Sequence, residues 1–208
     1  MTPKTTVVVG SLDALRDVLD AGDLLDVSSD TDVVLLPTAA AFLGINEAAI
    51  ELSTLFEPSG ARVEALMLAD RASNAEPYFV ERVKSADLVV LSDGSALHAK
   101  SVWHGSPVGE ALRDARCLVA VGAVASLLGD VMIDPRGGAP TTGLGYRTGL
   151  VLGVSASDEQ LSRTRTLLGL DGTFAVLGPR GVVYFDGSSW HLASDDVVTT
   201  RGHDVVEL

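Results

Sequence analysis

Five short runs rich in β-branched residues recur through the first 122 positions: Thr5–Val9, Asp32–Leu36, Arg62–Leu68, Asp87–Leu91 and Cys117–Val121. Most are apolar throughout rather than alternating, which is how strands covered on both faces read. Helical patterns separate them. Ser11 is a good N-cap before Leu12, Leu15, Val18 and Leu19, which fall on one helical face. Thr38 to Phe56 reads as one longer helix, stopped by Pro58-Ser59-Gly60. Glu76 to Lys84 and Ser106 to Ala115 are further helices, with Pro107 suited to a first turn. Strand and helix alternating in steps of roughly 25–30 residues predict βαβ units and a parallel sheet.

The second half changes character. Ser157-Asp-Glu-Gln160 is a capping box that opens a short helix running to about Leu168. Phe174–Leu177, Val182–Phe185 and Trp190–Ala193 follow, separated by Gly-Pro-Arg-Gly and Asp-Gly-Ser-Ser. Those turn residues predict a small C-terminal antiparallel meander. No linker or repeat interrupts the chain, so residues 1–208 are expected to form a single domain, a length that buries a core without staples.

Fifteen Lys and Arg stand against 28 Asp and Glu, a formal charge of −13. So acidic a surface repels phosphate backbones and anionic lipid, and neither nucleic acid nor a membrane is an expected partner. The first residues enter the first apolar run without a signal-peptide core, and no run approaches the 18 apolar residues of a membrane span. A cytoplasmic protein is the expectation. The single cysteine, Cys117, excludes an internal disulfide framework and a cysteine-based zinc site.

Ligands of an open parallel sheet bind beyond the carboxyl ends of its strands. Three junctions qualify: Leu36-Pro37-Thr38-Ala39-Ala40, Ser92-Asp93-Gly94-Ser95, and Val121-Gly122-Ala123-Val124-Ala125-Ser126. Together they carry a family pattern. Asp87-Leu-Val-Val-Leu-Ser-Asp-Gly-Ser-Ala96 stands where a strand ends in a Gly-Gly-Asn/Asp-Thr-like turn, and Gly105-Ser106-Pro107-Val108 stands for a Gly-Thr-Pro-Leu-like step. Ala120-Val121-Gly122-Ala123-Val124-Ala125 takes the place of a Gly-Thr-Ser-Ala-Gly-Ala elbow, with Gly129-Asp130 at the matching distance. Gly143-Leu144-Gly145-Tyr146 stands for a Gly-Leu-Gly-Leu step, and Pro37-Thr38-Ala39 matches the second strand end. On these residues the chain resembles the cyanophycinase and aspartyl-dipeptidase family of serine peptidases. The resemblance implies a class I glutamine-amidotransferase-like fold: α/β, three-layered, with a mostly parallel flavodoxin-like sheet and helices on both faces. It also suggests a homodimer.

The same alignment empties the catalytic positions. The nucleophilic serine of the family falls on Gly122, and its histidine falls on Ser155. No histidine occurs between His104 and His191. A serine hydrolase needs an activated oxygen and a base within hydrogen-bond reach, so the inherited mechanism is expected to be absent. Ser126, four residues past the elbow, is a weak alternative nucleophile, because the sharp turn needs the nucleophile directly after the strand.

Other residues read plainly. His98 and His104 flank Trp103 and are expected to be solvated or packed, although His98 shares a helix face with Ser95. His191 and His203 have no ligand partners at metal spacing, so no metal site is expected. Cys117 reads as a small core residue. Gly143-x-Gly145 lacks the third glycine of a dinucleotide fingerprint, and no cofactor is expected.

Backbone N–H groups at Gly122 and Ala123, with Asp93, Gly94 and Ser95 opposite, form the expected ligand pocket, for a small carboxylate or a peptide. Three readings remain open. One is a catalytically degenerate homologue serving in binding, assembly or regulation. The second is an active amide hydrolase for aspartyl peptides with a relocated nucleophile, Ser126, Ser95 or Cys117. The third is a partner protein of a biosynthetic or storage pathway, acting through an unlocated surface.

Overall fold

A computed structural model describes residues 4–169, 172–201 and 204–206. The first half alternates as β1 (Thr5–Val9), α1 (Leu12–Ala21), β2 (Asp32–Leu36), α2 (Ile45–Phe56), β3 (Arg62–Ala65), α3 (Pro77–Ser85) and β4 (Leu88–Leu91). It continues through α4 (Ala96–Trp103), α5 (Pro107–Asp114) and β5 (Cys117–Val121). The second half holds β6 (Val131–Ile133), β7 (Pro140–Thr142), β8 (Val151–Val154), α6 (Asp158–Leu168) and β9 (Thr173–Leu177). It ends with β10 (Val182–Phe185), β11 (Trp190–Leu192), β12 (Val197–Arg201) and β13 (Asp204–Val205).

Seven strands form the central sheet in the order β11-β10-β1-β5-β4-β2-β3. The five strands of the first half run parallel, and β10 joins β1 antiparallel. Their unbroken apolar character follows from cover on both sides. Val7, Val9, Val33, Leu35 and Val119 face α1 and α2, against Leu15, Val18, Leu52 and Phe56. Val8, Val34, Leu36, Val89 and Ala120 face α3, α4 and α5, packing with Val83, Val102, Trp103 and Leu112. The fold is a three-layered α/β arrangement, as expected.

Helix starts follow their caps. The Ser11 hydroxyl accepts from the Ala14 N–H at 3.2 Å, and the Ser106 hydroxyl accepts from Gly109 N–H at 3.0 Å. At α6 the capping box closes reciprocally between Ser157 and Gln160. Each such cap contributes about 1 kcal/mol.

Three expectations need correction. The helix read from Thr38 to Phe56 is two pieces: Pro37–Ala40 forms a 3₁₀ turn, and α2 begins only at Ile45. Gly44 between them has φ 124°, which an α-helix cannot contain. The strand read over Arg62–Leu68 ends at Ala65, although Leu66 still donates to the Leu35 carbonyl at 2.9 Å and stays buried.

The C-terminal meander is divided between two sheets. β10 and β11 form a hairpin on the central sheet, whereas β9 pairs parallel with β8 in a second sheet, ordered β13-β12-β9-β8. Sheet membership depends on partners distant in the chain, which local turn residues do not specify. Local patterns do not announce α4, the β6–β7 hairpin, β8, β12 or β13. The second sheet packs on the α3–α5 side, where Leu152, Val154 and Leu177 join the same core as Val8 and Ala120.

Candidate functional site

The chain leaves β2 for the edge strand β3 and returns to β4 on the other side of β2. That reversal opens a crevice at the carboxyl ends of β2 and β4, and β5 lies next to β4. All three junctions singled out in the sequence meet there. Ser92 N–H donates to Leu36 O at 3.2 Å, and Ser95 N–H donates to Ala39 O at 2.7 Å. Gly94 has φ 140°, and a Cβ on it would lie 2.3 Å from Ala39 O, so only glycine fits this turn. Ser95 caps α4, its hydroxyl accepting from His98 N–H at 3.2 Å.

At the end of β5 the backbone turns sharply. Gly122 has φ 66° and opens a 3₁₀ turn over Gly122–Leu127. This is a strand-to-helix elbow of the kind that exposes a nucleophile. Its side-chain space is already filled. A Cβ on Gly122 would lie 2.2 Å from Asp93 Cγ, and 2.3 and 2.6 Å from the two carboxylate oxygens. Asp93 Oδ1 accepts two hydrogen bonds, from Ala123 N–H at 2.8 Å and from Gly94 N–H at 2.7 Å.

A donor pair made of the residue after the nucleophile and a neighbouring loop is how an elbow binds an oxyanion. Here that pair holds the protein's own carboxylate. The expectation of an open amide pair is therefore corrected at Ala123: its N–H is committed to Asp93, which fills the hole rather than lining it. The sequence set Asp93 opposite Gly122 and Ala123, but no spacing rule gave the bond from the Ala123 N–H to its carboxylate.

Beside the elbow is a cavity of about 250 Å³. Of the expected pocket residues Gly94, Ser95 and Ala123 line it, together with Ser126 and Ser155, whereas Asp93 and Gly122 do not. Ile133, Leu152 and Val154 supply its apolar wall, and the α6 residue Gln160 closes one side. Among the described residues, no charged side chain lines it. Ser155 follows β8 with φ 57°, the one non-glycine among the described residues in the left-handed region. Strain of that kind clusters at binding and catalytic sites.

Among the described residues no histidine lines the cavity beside the alternative nucleophiles. Ser126 is 7% exposed, and its hydroxyl donates to Ala123 O at 2.8 Å, within its own turn. His98 lies outside the cavity lining; its Nε2 bonds Ala69 O at 2.8 Å and its ring meets Phe42 edge-on. His104 caps the end of α4, and His191 sits on β11, paired with Asp186 at 2.8 Å and stacked on Tyr184. His203 lies outside the described residues. Cys117 opens β5, at the opposite end of the strand from the elbow, and burial pushes its thiol up to about 12. A thiol so rarely ionised is a poor nucleophile. Among the described residues no cluster of three His, Cys, Asp or Glu could hold a metal, and no helix is long and apolar enough to cross a membrane.

No protein-family model matches the chain. No curated protein matches it in sequence either. Solved structures do match. A peptidase from an acI-B1 Actinobacterium aligns with a TM-score of 0.75 at 17% identity, over 99% of this chain and 94% of that one. A protein described as a peptidase E candidate from Listeria monocytogenes EGD-e aligns with a TM-score of 0.63 at 11% identity, over 96% and 98%. The chain has the fold of these peptidases over nearly its whole length.

Proposed function

We propose that this chain keeps the fold of those peptidases but has given up their chemistry, and acts by binding rather than cleaving. The observation that carries the reading is the Asp93 carboxylate standing in the side-chain space of Gly122, bonded to the amides of Gly94 and Ala123. An acyl transfer at this elbow would need an oxygen on residue 122, a base opposite and an empty oxyanion hole. Glycine, Ser155 and Asp93 stand in those three places. Loss of a nucleophile or its base costs on the order of 10⁶ in turnover, and losses within one catalytic unit do not rescue each other.

The cavity supports the binding half of the reading, since it is concave, mostly apolar and edged with hydroxyl groups. A fluorophosphonate probe and a panel of Asp-X dipeptides test the proposal on purified protein. Neither labelling nor turnover above the uncatalysed rate is expected. Labelling that vanishes in Ser126→Ala would overturn the reading and establish a relocated serine nucleophile.

A further inference from the structure

We propose that Ser155 anchors the ligand of the cavity beside the elbow, and that this ligand is a small aliphatic molecule with an uncharged head. The head both donates and accepts hydrogen bonds, as a carboxamide or an alcohol does. The inference rests on the binding reading above and adds the class of ligand and the residue that holds it.

The backbone of β8 carries the first half of the argument. Side chains on a strand alternate between its two faces. Val151 packs with Leu161 and Phe174, and a Cβ on Gly153 would also meet Leu161, whereas Leu152 and Val154 line the cavity. Continued extension would send residue 155 to the Leu161 side. Ser155 lines the cavity together with Leu152 and Val154 instead, and it does so at φ 57°. That conformation is disfavoured for a residue with a Cβ. Glycine would hold the same turn without strain but would bring no hydroxyl. The strain thus carries a hydroxyl into the cavity, and cost of this kind marks ligand sites.

The lining side chains carry the second half. Among the described residues none of them is charged, so a ligand charge would lose its water there without gaining an ion partner. Four are polar: Ser95, Ser126, Ser155 and Gln160. Gln160 is engaged at both ends, its Oε1 accepting from Ser157 N–H at 2.8 Å and its Nε2 donating to Pro135 O at 2.5 Å. Ser95 Oγ accepts from His98 N–H, which leaves its O–H to donate. Ser126 gives its O–H to Ala123 O, which leaves its oxygen to accept. Ser155 is exposed, shares its hydroxyl with no other described residue, and can do either. A carboxylate only accepts and an ammonium only donates, so each leaves one of these hydroxyls unanswered. A carboxamide or an alcohol answers both kinds. Ile133, Leu152 and Val154 give an aliphatic body its wall, and a space of about 250 Å³ lies just under that of pockets for drug-sized ligands.

The test uses four probes that share one branched body: isovaleramide, isoamyl alcohol, isovalerate and isoamylammonium. Each is titrated at neutral pH into the isotopically labelled intact chain, and backbone amide shifts are followed by NMR. The two neutral probes are expected to shift signals around the cavity and to bind at least about tenfold more tightly than either charged one. The tighter of the two identifies the head, carboxamide or hydroxyl. Ser155→Ala removes the hydroxyl and keeps the Cβ, and is expected to weaken the neutral probes by about fivefold with little change in Tm. Ser155→Gly is expected to weaken them equally while raising Tm by about 2–4 °C, because it also relieves the strain.

A charged probe that binds as tightly as the neutral ones, no shift at the cavity with any probe, or undiminished affinity in Ser155→Ala would each overturn the inference. So would a Tm in Ser155→Gly below that of wild type. Fluorophosphonate labelling or dipeptide turnover would instead overturn the binding reading, and the ranking of the four probes still decides the ligand class.

Discussion

Gly122 and Asp93 are one feature written in two places. A side chain at position 122 meets the carboxylate at 2.2–2.6 Å, and the backbone there sits at φ 66°. Gly122→Ser is therefore expected to destabilise the protein by about 2–4 kcal/mol, from overpacking and left-handed strain together. In an Asp93→Gly background the steric part disappears, so a double-mutant cycle in urea is expected to show coupling of about 1 kcal/mol or more. Additive effects would mean that the carboxylate can swing aside at little cost.

Cys117 makes a second residue-scale prediction. Burial holds its thiol protonated up to about 12, whereas the unfolded chain ionises near the ordinary cysteine value of 9.0. The folded-state pKa is raised, so this contribution is intact below pH 9 and is lost as pH climbs from 9 towards 12. Over that window wild type is expected to lose stability faster than Cys117→Ala, by about 1 kcal/mol per pH unit, in urea melts at stepped pH. Parallel curves would show the thiol to be solvated.

At the scale of elements, the elbow is held from behind by the segment that follows β7. Gly143 N–H donates to Asp130 O, Leu144 N–H to Leu127 O, Gly145 N–H to Gly129 O and Arg147 N–H to Leu128 O. Arg147, only 4% exposed, then ties this segment to the central sheet and α5. Its Nε donates to Thr6 Oγ1 at 2.7 Å on β1, and its Nη1 to the carbonyls of Tyr146 and Arg113. Desolvation draws its pKa down, yet the guanidinium stays charged in this buried place. Thr6→Val keeps the shape of the strand but strips a charged N–H of its acceptor, and is expected to cost about 1–3 kcal/mol in a denaturant melt. Thr6→Ser, which keeps the oxygen, is expected to cost less.

The sequence announced neither partner of this clamp. Thr6 reads as one more β-branched residue of an apolar run, and nothing local to Arg147 pairs it with β1. By contrast the capping box at Ser157 and Gln160 was legible, because cap and partner are three residues apart and the rule is local. The misread helix over Thr38–Phe56 shows the limit of that locality: apolar spacing continued across Gly44, while the backbone did not.

Across the whole molecule, periodicity and punctuation were enough to determine a parallel α/β sheet covered on both faces. Five apolar runs spaced by helices have few other ways to bury themselves, since each needs cover on two sides. The same sequence located the three junctions at the carboxyl ends of β2, β4 and β5. Tertiary structure alone decided what meets there. It split the C-terminal strands between two sheets, and it brought β8 with Ser155 across from the elbow. It also set the Asp93 carboxylate in the space of residue 122, across 28 intervening residues. Strand and helix patterns arise from forces between near neighbours in sequence, and they are written locally. Who occupies an anion hole depends on distances of 2–3 Å between residues from separate crossovers, and only the packed fold sets those.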